Sequence, residues 1–244
     1  MATYTGFADS NGDFSISFGA NSYTSGEKIT VTAEKDSATK SIELYAPSDV
    51  VEAGGVIQFL GSLANFPENI GGVHIDIPGN IGKSAFLAAL SSSSIWQRAT
   101  SLVLGNSVTG IGNNAFENWT EARYLDIPDS VNLLGISSFS GWYNALELTI
   151  PNSITAIPNT CFAGWTKAKS LVIPASVTSI GGNSFQGWTS CDVITVLATI
   201  PPTITSVSFQ TLKPTCIFKV PADSVAAYQA ATNWSGFASR IQAI

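Results

Sequence analysis

From residue 101 onwards, the same pattern of apolar and polar positions returns along the chain every 23 residues. Aromatic residues mark this period most clearly, since five of the six tryptophans and four phenylalanines fall on it. The two series are Trp96, Trp119, Trp142, Trp165 and Trp188, and Phe116, Phe139, Phe162 and Phe185. A fixed period of this length is typical of a solenoid, whose repeats bury their apolar faces only by stacking on one another.

Each repeat begins with a short stretch of alternating polarity, such as Leu125-Asp126-Ile127. Alternation with a period of two predicts a strand that points its leucine and isoleucine inward and its middle residue outward. Proline follows this stretch at positions 128, 151 and 174, and should end the strand because it lacks a donor for the sheet. A second turn is predicted at residues 107–112, and one or two helical turns at residues 114–119.

Both ends of the predicted solenoid depart from the period. Residues 217–244 are expected to form a C-terminal cap, with a strand at 217–221 and an amphipathic helix at 223–234 that Asp223 or Ser224 would cap. Residues 51–72 are expected to form an N-terminal cap with a strand at 56–59. The first, degenerate repeat begins at His74 and has seven extra residues between Phe86 and Trp96. They predict a helix at 85–92 that is about two turns longer than in later repeats.

Residues 1–50 differ from the rest of the chain. Alternating stretches at 14–18, 29–33 and 41–45, with turn signals at Asn11-Gly12 and Ser25-Gly26, predict a small antiparallel, β-sandwich-like module. This segment carries seven acidic and three basic residues, whereas only 18 charged residues follow in 51–244. The change in composition places a domain boundary at about residues 47–55, which leaves 51–244 to the solenoid.

The repeat closely resembles that of the BspA-like leucine-rich repeat family, whose unit reads roughly L-x-I-P-x-S-V-T-x-I-G-x-x-A-F-x-G-C-x-x-L. Residues 171–188, LVIPASVTSIGGNSFQGW, match this unit almost throughout, and the resemblance covers about residues 73–244. It implies a β-rich α+β fold, a leucine-rich-repeat solenoid of about six units with a C-terminal helical cap. Residues 1–50 are similar to the short immunoglobulin-like (Ig-like) modules of phage tail fibres and bacterial adhesins.

The chain departs from the family in one systematic way, because tryptophan stands where the family usually has cysteine. The leucine three positions later is reduced to Ala122, Ala145, Ala168 or Cys191. A large-for-small exchange matched by a small-for-large one conserves the volume of a packed core. We therefore predict that the tryptophans form a buried structural series. The alternative is an exposed aromatic ladder on which sugars stack.

Composition narrows the class of protein. Hydrophobic residues make up 45% of the 244 positions and charged residues only 11%, which is ample for a packed core and argues against disorder. No apolar run approaches the roughly 18 to 20 residues of a membrane span, so membrane insertion is not expected. The net charge of −6 and the lack of a basic cluster disfavour nucleic acid as a partner. The first residues show no signal peptide.

Three patterns invite a catalytic or metal-binding interpretation. Gly82-Lys83-Ser84 lacks the glycine that a phosphate-binding loop needs six positions before its lysine, where Ile77 stands. His74, Asp76 and Ser101 fall on adjacent predicted strands, but an open sheet offers no evident pocket for a hydrolase triad and no third strong metal ligand. A surface contact between the histidine and the aspartate explains this pattern better.

The third pattern is the cysteines, which are odd in number and have no metal-like spacing. They fit either a chain that folds in reducing cytosol or an exported chain that has lost its leader. Cys161 and Cys191 are predicted to be inert buried thiols, and Cys216 is left undecided. No acid pair has the spacing of a glycoside hydrolase. The sequence therefore predicts no catalytic residue, metal or cofactor, and no enzymatic activity.

The outward strand positions remain as the candidate site. The repeat fixes the inward residues but leaves the outward ones free, and a regular scaffold with varied outward residues suits a recognition surface. The predicted ligand-binding residues are Tyr124, Asp126, Glu147, Thr149, Asp76, Val103 and Val172. Tyr124 is the foremost candidate, because aromatic residues are enriched at binding centres.

The family resemblance implies attachment to host or bacterial surfaces, so a cell-surface protein or glycan is the expected ligand. The missing signal peptide and the tail-fibre-like first module favour a phage tail receptor-binding protein, located on the virion, over a secreted adhesin of the bacterial cell surface. In the first case residues 1–50 would dock to other virion proteins, and several copies could associate as a homo-oligomer. A structural or assembly module, whose sheet face another chain covers, is the competing class.

Overall fold

The computed structural model describes residues 14–17, 28–35, 38–45, 56–60, 71–87 and 95–244, with side chains at 71–87 and 96–244. The turn signals near residues 11 and 25 and the expected domain boundary lie outside the described residues. Most of the helix expected at 85–92 lies outside them as well. The described part of the chain has no helix that is long and apolar enough to cross a membrane.

Short strands dominate the described chain. In chain order they are β1 (Phe14–Ser17), β2 (Lys28–Lys35), β3 (Ala38–Tyr45), β4 (Val56–Leu60), β5 (Gly72–Asp76), β6 (Gly79–Ile81), β7 (Ser101–Leu104), β8 (Val108–Ile111), β9 (Tyr124–Asp126), β10 (Glu147–Thr149), β11 (Ala156–Ile157), β12 (Ser170–Ile173), β13 (Ser179–Ile180), β14 (Val193–Val196), β15 (Thr203–Ile204), β16 (Ile217–Val220) and β17 (Ile241–Ala243). The strands of the large sheets agree with the alternating stretches of the sequence, except that β17 was not predicted. The short strands β6, β8, β11, β13 and β15 were not predicted either, and β8 lies within residues 107–112, where a turn was expected.

The strands of successive repeats lie side by side and parallel. One sheet has the order β1-β4-β5-β7-β9-β10, and a second, β12-β14-β16-β17, continues it where β12 lies beside β10. The opposite side of the solenoid carries the short parallel sheets β6-β8 and β11-β13-β15. Parallel strands joined by one crossover per repeat are the arrangement that a solenoid requires.

The first strands join this architecture in two ways. β2 and β3 form a two-stranded antiparallel sheet, whereas β1 pairs antiparallel with β4, which in turn pairs antiparallel with β5. β1 therefore extends the large sheet rather than pairing with β2 or β3. The Ig-like arrangement of residues 1–50 stays a prediction.

Aromatic side chains fill the core between the two sides. Each ladder phenylalanine stacks on the next at ring-centroid distances of 5.4 to 5.8 Å, and each ladder tryptophan on the next at 5.4 to 6.0 Å. Trp119, Trp142, Trp165 and Trp188 are wholly buried. The indole N–H of Trp165 donates to the carbonyl of Phe139, 2.9 Å away, and the other three make the equivalent bond to the preceding repeat. The tryptophans form a buried series, and the alternative of an exposed sugar-binding ladder is wrong.

The segments predicted as one or two helical turns are instead successive tight turns. The amide of Ala115 donates to Gly112, and that of Glu117 to Asn114, which is the spacing of isolated turns rather than of an α-helix. Two residues per repeat have a positive φ, a conformation that a right-handed helix cannot contain. They are Asn114 and Asn118, Ser137 and Gly141, Thr160 and Gly164, and Asn183 and Gly187.

The C-terminal segment covers the last repeat. A 3-10 turn, Ala222–Ser224, leads into α1 (Val225–Ala230), and a second 3-10 helix, Trp234–Arg240, precedes β17. The helix is half as long as the pattern predicted, because Ala231 is extended and Asn233 has a φ of 65°. Of the two residues proposed as its cap, Ser224 occupies the N-cap position, but neither caps the helix through its side chain. Ser224 makes no capping hydrogen bond with its side chain, and residue 223 lies inside the 3-10 turn.

Candidate recognition surface

Alternate residues of the large parallel sheets point away from the core and form a continuous solvent-facing surface, which we call the outer face. Strand register sorts it into two rows. On the first sheet one row contains Ser101, Tyr124 and Glu147, and the other contains His74, Val103, Asp126 and Thr149. On the second sheet the corresponding rows contain Ser170, Val193 and Ile217, and Val172, Thr195 and Lys219. Between the rows, inward residues such as Leu125 and Leu171 are buried. The core thus fixes each strand, while outward side chains stay free to contact a partner.

Five of the seven predicted site residues form one contiguous patch of the outer face. Tyr124 lies directly opposite Glu147 on the neighbouring strand, and Asp126 lies between Val103 on one side and Thr149 on the other. Half of the Tyr124 surface and 45% of the Val103 surface are exposed. Neighbouring strands are ~4.8 Å apart, so one ligand group can touch several of these side chains together.

The sixth residue extends this patch, and the seventh does not belong to it. Val172 is 51% exposed on β12, the strand beside β10. Asp76 lies at the end of β5, two positions beyond His74, which is the residue that pairs with Val103. Its carboxylate accepts the amide of Ser107 at 2.9 Å and packs over Gly105. Asp76 therefore serves the turn of the next repeat and lies beyond the patch, and its role in ligand binding stays a prediction.

The same register separates the three residues considered for a hydrolase triad. His74 lies opposite Val103, while Ser101 lies opposite Gly72, at the start of the strand. Asp76 is turned towards Ser107 instead. The strands thus do not assemble the linear arrangement of base, acid and hydroxyl that such a mechanism needs.

All three cysteines are free and wholly buried. Burial raises the pKa of Cys161 to about 12, although its sulfur lies 3.3 Å from the hydroxyl of Ser138. Cys191 occupies the small core position of its repeat, as predicted. Cys216, which the sequence left undecided, is buried beside it.

Charge is distributed unevenly along the solenoid. Residues 71–150 contain six acidic and three basic side chains, whereas residues 151–244 contain two acidic and five basic ones. On the outer face, Asp126 and Glu147 are exposed in the middle of the solenoid, and Lys219 lies near the C-terminal end. The surface around Tyr124 consequently combines an aromatic ring with carboxylates, which suits groups that present hydrogen-bond donors or positive charge.

Two surface features were missed by the sequence-based predictions. Ile217 and Lys219 continue the outer face on β16, and the alternation of that strand would have identified them. An apolar groove also lies between residues 175–178 and 197–202, where Leu197 and Ile200 are exposed. The departure of Ile200-Pro201-Pro202 from the repeat was the signal for it.

Comparison with known proteins gives matches to repeat proteins. The sequence profile of a family described as BspA type Leucine rich repeat region matches residues 79–214 in six copies. No curated protein sequence matches the chain. Among solved structures, a leucine rich cell surface protein from Faecalibacterium prausnitzii is 18% identical with a TM-score of 0.45, over 77% of this chain and 52% of that one. The chain therefore spans about half the length of that protein.

Two further solved structures are similar to the chain. The T. pallidum Leucine Rich Repeat protein, TpLRR, is 17% identical with a TM-score of 0.44, over 61% of this chain and 77% of that one. The pneumococcal vaccine antigen PcpA is 14% identical with a TM-score of 0.32, over 70% of this chain and 66% of that one.

Proposed function

The chain belongs to the BspA-type leucine-rich repeat family, and on this basis we propose that it is a non-enzymatic recognition protein of a bacterial surface. Its ligand is a cell-surface protein or glycan, bound through the outer face. Residues 1–50 contribute by attaching the solenoid to other surface proteins. The comparisons lend no support to a phage tail, which is therefore not part of the proposal.

The observation that carries this proposal is the patch around Tyr124. An exposed aromatic ring, two exposed valines and two carboxylates lie together on strands that a wholly buried aromatic core holds in place. Large half-exposed apolar side chains among polar ones are typical of binding centres. A rigid scaffold also lowers the entropic cost of binding, because the side chains are already in position.

A binding assay with the full chain on intact bacterial cells tests the proposal. We expect fluorescently labelled protein to bind saturably, and Tyr124→Ala or Asp126→Lys to weaken this binding about tenfold or more, as expected of a binding centre. Tyr143→Ala is the matched control, since Tyr143 is 45% exposed but lies in a turn outside the outer face. This control variant should bind as the unaltered protein does.

Pretreatment of the cells identifies the ligand class. Loss of binding after protease treatment indicates a protein ligand, and loss after periodate oxidation indicates a glycan. Binding that does not saturate, or that both outer-face variants retain in full, would overturn the proposal. Circular dichroism of each variant confirms that the solenoid is folded.

A further inference from the structure

Two of the three cysteines lie next to each other at the C-terminal end of the solenoid. Cys191 occupies the core position that holds alanine at 122, 145 and 168 in the preceding repeats. Cys216 directly precedes β16, the strand that pairs with β14 through Val193 and Ile217. The two cysteines thus precede neighbouring strands by two residues and by one, and both side chains are wholly buried in the core.

The two thiols are neighbours in the core. The amides of both residues donate to the carbonyl three positions earlier, Cys191 to Trp188 and Cys216 to Lys213, so the two cysteines occupy equivalent positions of successive repeats. The sulfur of Cys191 lies 3.4 Å from the carbonyl oxygen of Val193, and that of Cys216 lies 3.7 Å from that of Ile217. The proximity of the two thiols raises the pKa of Cys191 and lowers that of Cys216. The guanidinium of Arg240, which donates to the carbonyl of Cys216 at 3.4 Å, also lowers the pKa of that cysteine. Cys161 differs, because its sulfur contacts the hydroxyl of Ser138.

Residues at equivalent positions of adjacent repeats have a spacing that a disulfide can span. Neighbouring strands are ~4.8 Å apart, and disulfides join residues whose Cα atoms are ~4.4 to 6.8 Å apart. Both side chains also face the same interior. We propose that Cys191 and Cys216 are a cross-linking site that forms an intramolecular disulfide when the chain meets a small-molecule disulfide such as oxidised glutathione. The inference is independent of the ligand proposed for the outer face.

The reaction consists of two thiol–disulfide exchanges. The thiolate of Cys216 attacks one sulfur of the small disulfide, forms a mixed disulfide and expels one small thiolate. Cys191 then loses its proton and attacks the sulfur of Cys216, which expels the second small thiolate. Two protein thiols are oxidised, one small disulfide is reduced to two thiols, and the two protons end on those thiols. Since both sulfurs are buried, the exchange takes place before the C-terminal segment has closed, or while it opens.

The cross-link would tie the last full repeat to the strand that the C-terminal segment covers. It closes a chain loop that contains residues 197–202, which form one side of the apolar groove. A covalent loop stabilises the folded state mainly by restricting the unfolded chain. The oxidised protein should therefore unfold at a higher denaturant concentration than the reduced protein.

Mass spectrometry tests the site directly. The reduced full chain is refolded with oxidised glutathione, then denatured, alkylated with iodoacetamide and digested. We expect the peptides that contain Cys191 and Cys216 to be joined, with a loss of two hydrogen atoms, and Cys161 to be alkylated. Alkylation of both Cys191 and Cys216, a stable glutathione adduct on either, or a cross-link to Cys161 would overturn the proposal.

Two variants test the same site by stability. Cys191→Ala restores the residue that three other repeats have at this position, so this variant should fold and lose the redox dependence of the unfolding midpoint. Cys161→Ala is the matched control, which removes an equally buried thiol and should retain that dependence. A midpoint that still depends on redox state in Cys191→Ala would contradict the assignment.

Discussion

Replacing Trp165 by phenylalanine tests whether the tryptophan series holds the repeats together. Trp165 is wholly buried and stacks on Trp142 and Trp188 at centroid distances of 5.6 and 5.7 Å. Its indole N–H donates to the carbonyl of Phe139 at 2.9 Å. Phenylalanine retains an aromatic ring between the two neighbours but removes this donor and part of the volume.

The expected loss of stability follows from these contacts. A buried carbonyl that loses its partner costs about 1 to 3 kcal/mol. The smaller ring removes roughly two methylene equivalents, at about 0.8 kcal/mol each. Trp165→Phe should therefore lower the free energy of unfolding by about 3 kcal/mol. Trp165→Ala should cost about 5 kcal/mol, the upper end of the range for buried aromatics, because the stacking is lost as well.

Urea denaturation followed by far-UV circular dichroism measures this loss. The control is Tyr143→Phe, which also removes one polar hydrogen from an aromatic side chain but at an exposed position, and should change stability by less than about 0.5 kcal/mol. If Trp165→Phe also stays within about 0.5 kcal/mol of the unaltered protein, the hydrogen-bonded tryptophan series does not stabilise the stack, and the reasoning is refuted.

Three further predictions concern other contacts of the fold. Gly135→Ala would place its Cβ against the backbone of Gly112 in the preceding repeat, and should lower the free energy of unfolding in urea by about 1 to 3 kcal/mol. Gly236→Ala is the control, because a Cβ there meets nothing within 4 Å and should not destabilise the protein. The pKa of the Cys161 thiol is 9.0 in the unfolded chain and about 12 in the folded protein. The stability that depends on this thiol being neutral is therefore fully present below pH 9 and is lost as the pH rises towards 12. The free energy of unfolding of Cys161→Ala should therefore fall less between about pH 8 and about pH 11 than that of the unaltered protein. An equal fall would show that the raised pKa of Cys161 does not cause the loss. Arg240→Ala removes bonds to the carbonyls of residues 213, 214 and 216 and the contact of its guanidinium with an aromatic ring at 4.9 Å. Its melting temperature should fall by an amount that corresponds to about 1 to 3 kcal/mol, while Lys219→Ala, on the outer face, melts unchanged.

The local sequence pattern was sufficient to predict the repeat, the strands of the large sheets and the burial of the aromatic residues. Alternation along a strand sets which side chains face inward, and this depends only on the residues themselves. Tyr124, Glu147 and Thr149 could accordingly be assigned to the outward rows without a structure. The turns after the strands were mistaken for helix, although glycines at 141, 164 and 187 signalled the left-handed conformation that the structure shows there.

The sequence by itself determined the period and the inward or outward direction of each strand residue, while the tertiary structure decided how neighbouring repeats align. A shift of two residues along a strand leaves every side chain on the same face, so the hydrophobic pattern cannot distinguish two such registers. The position of Asp76 relative to the patch is an example, because only the pairing of β5 with β7 shows that His74 faces Val103 and that Asp76 lies beyond it. The contact between Cys191 and Cys216 also depends on the alignment of separate repeats, and packing of the whole stack decides it.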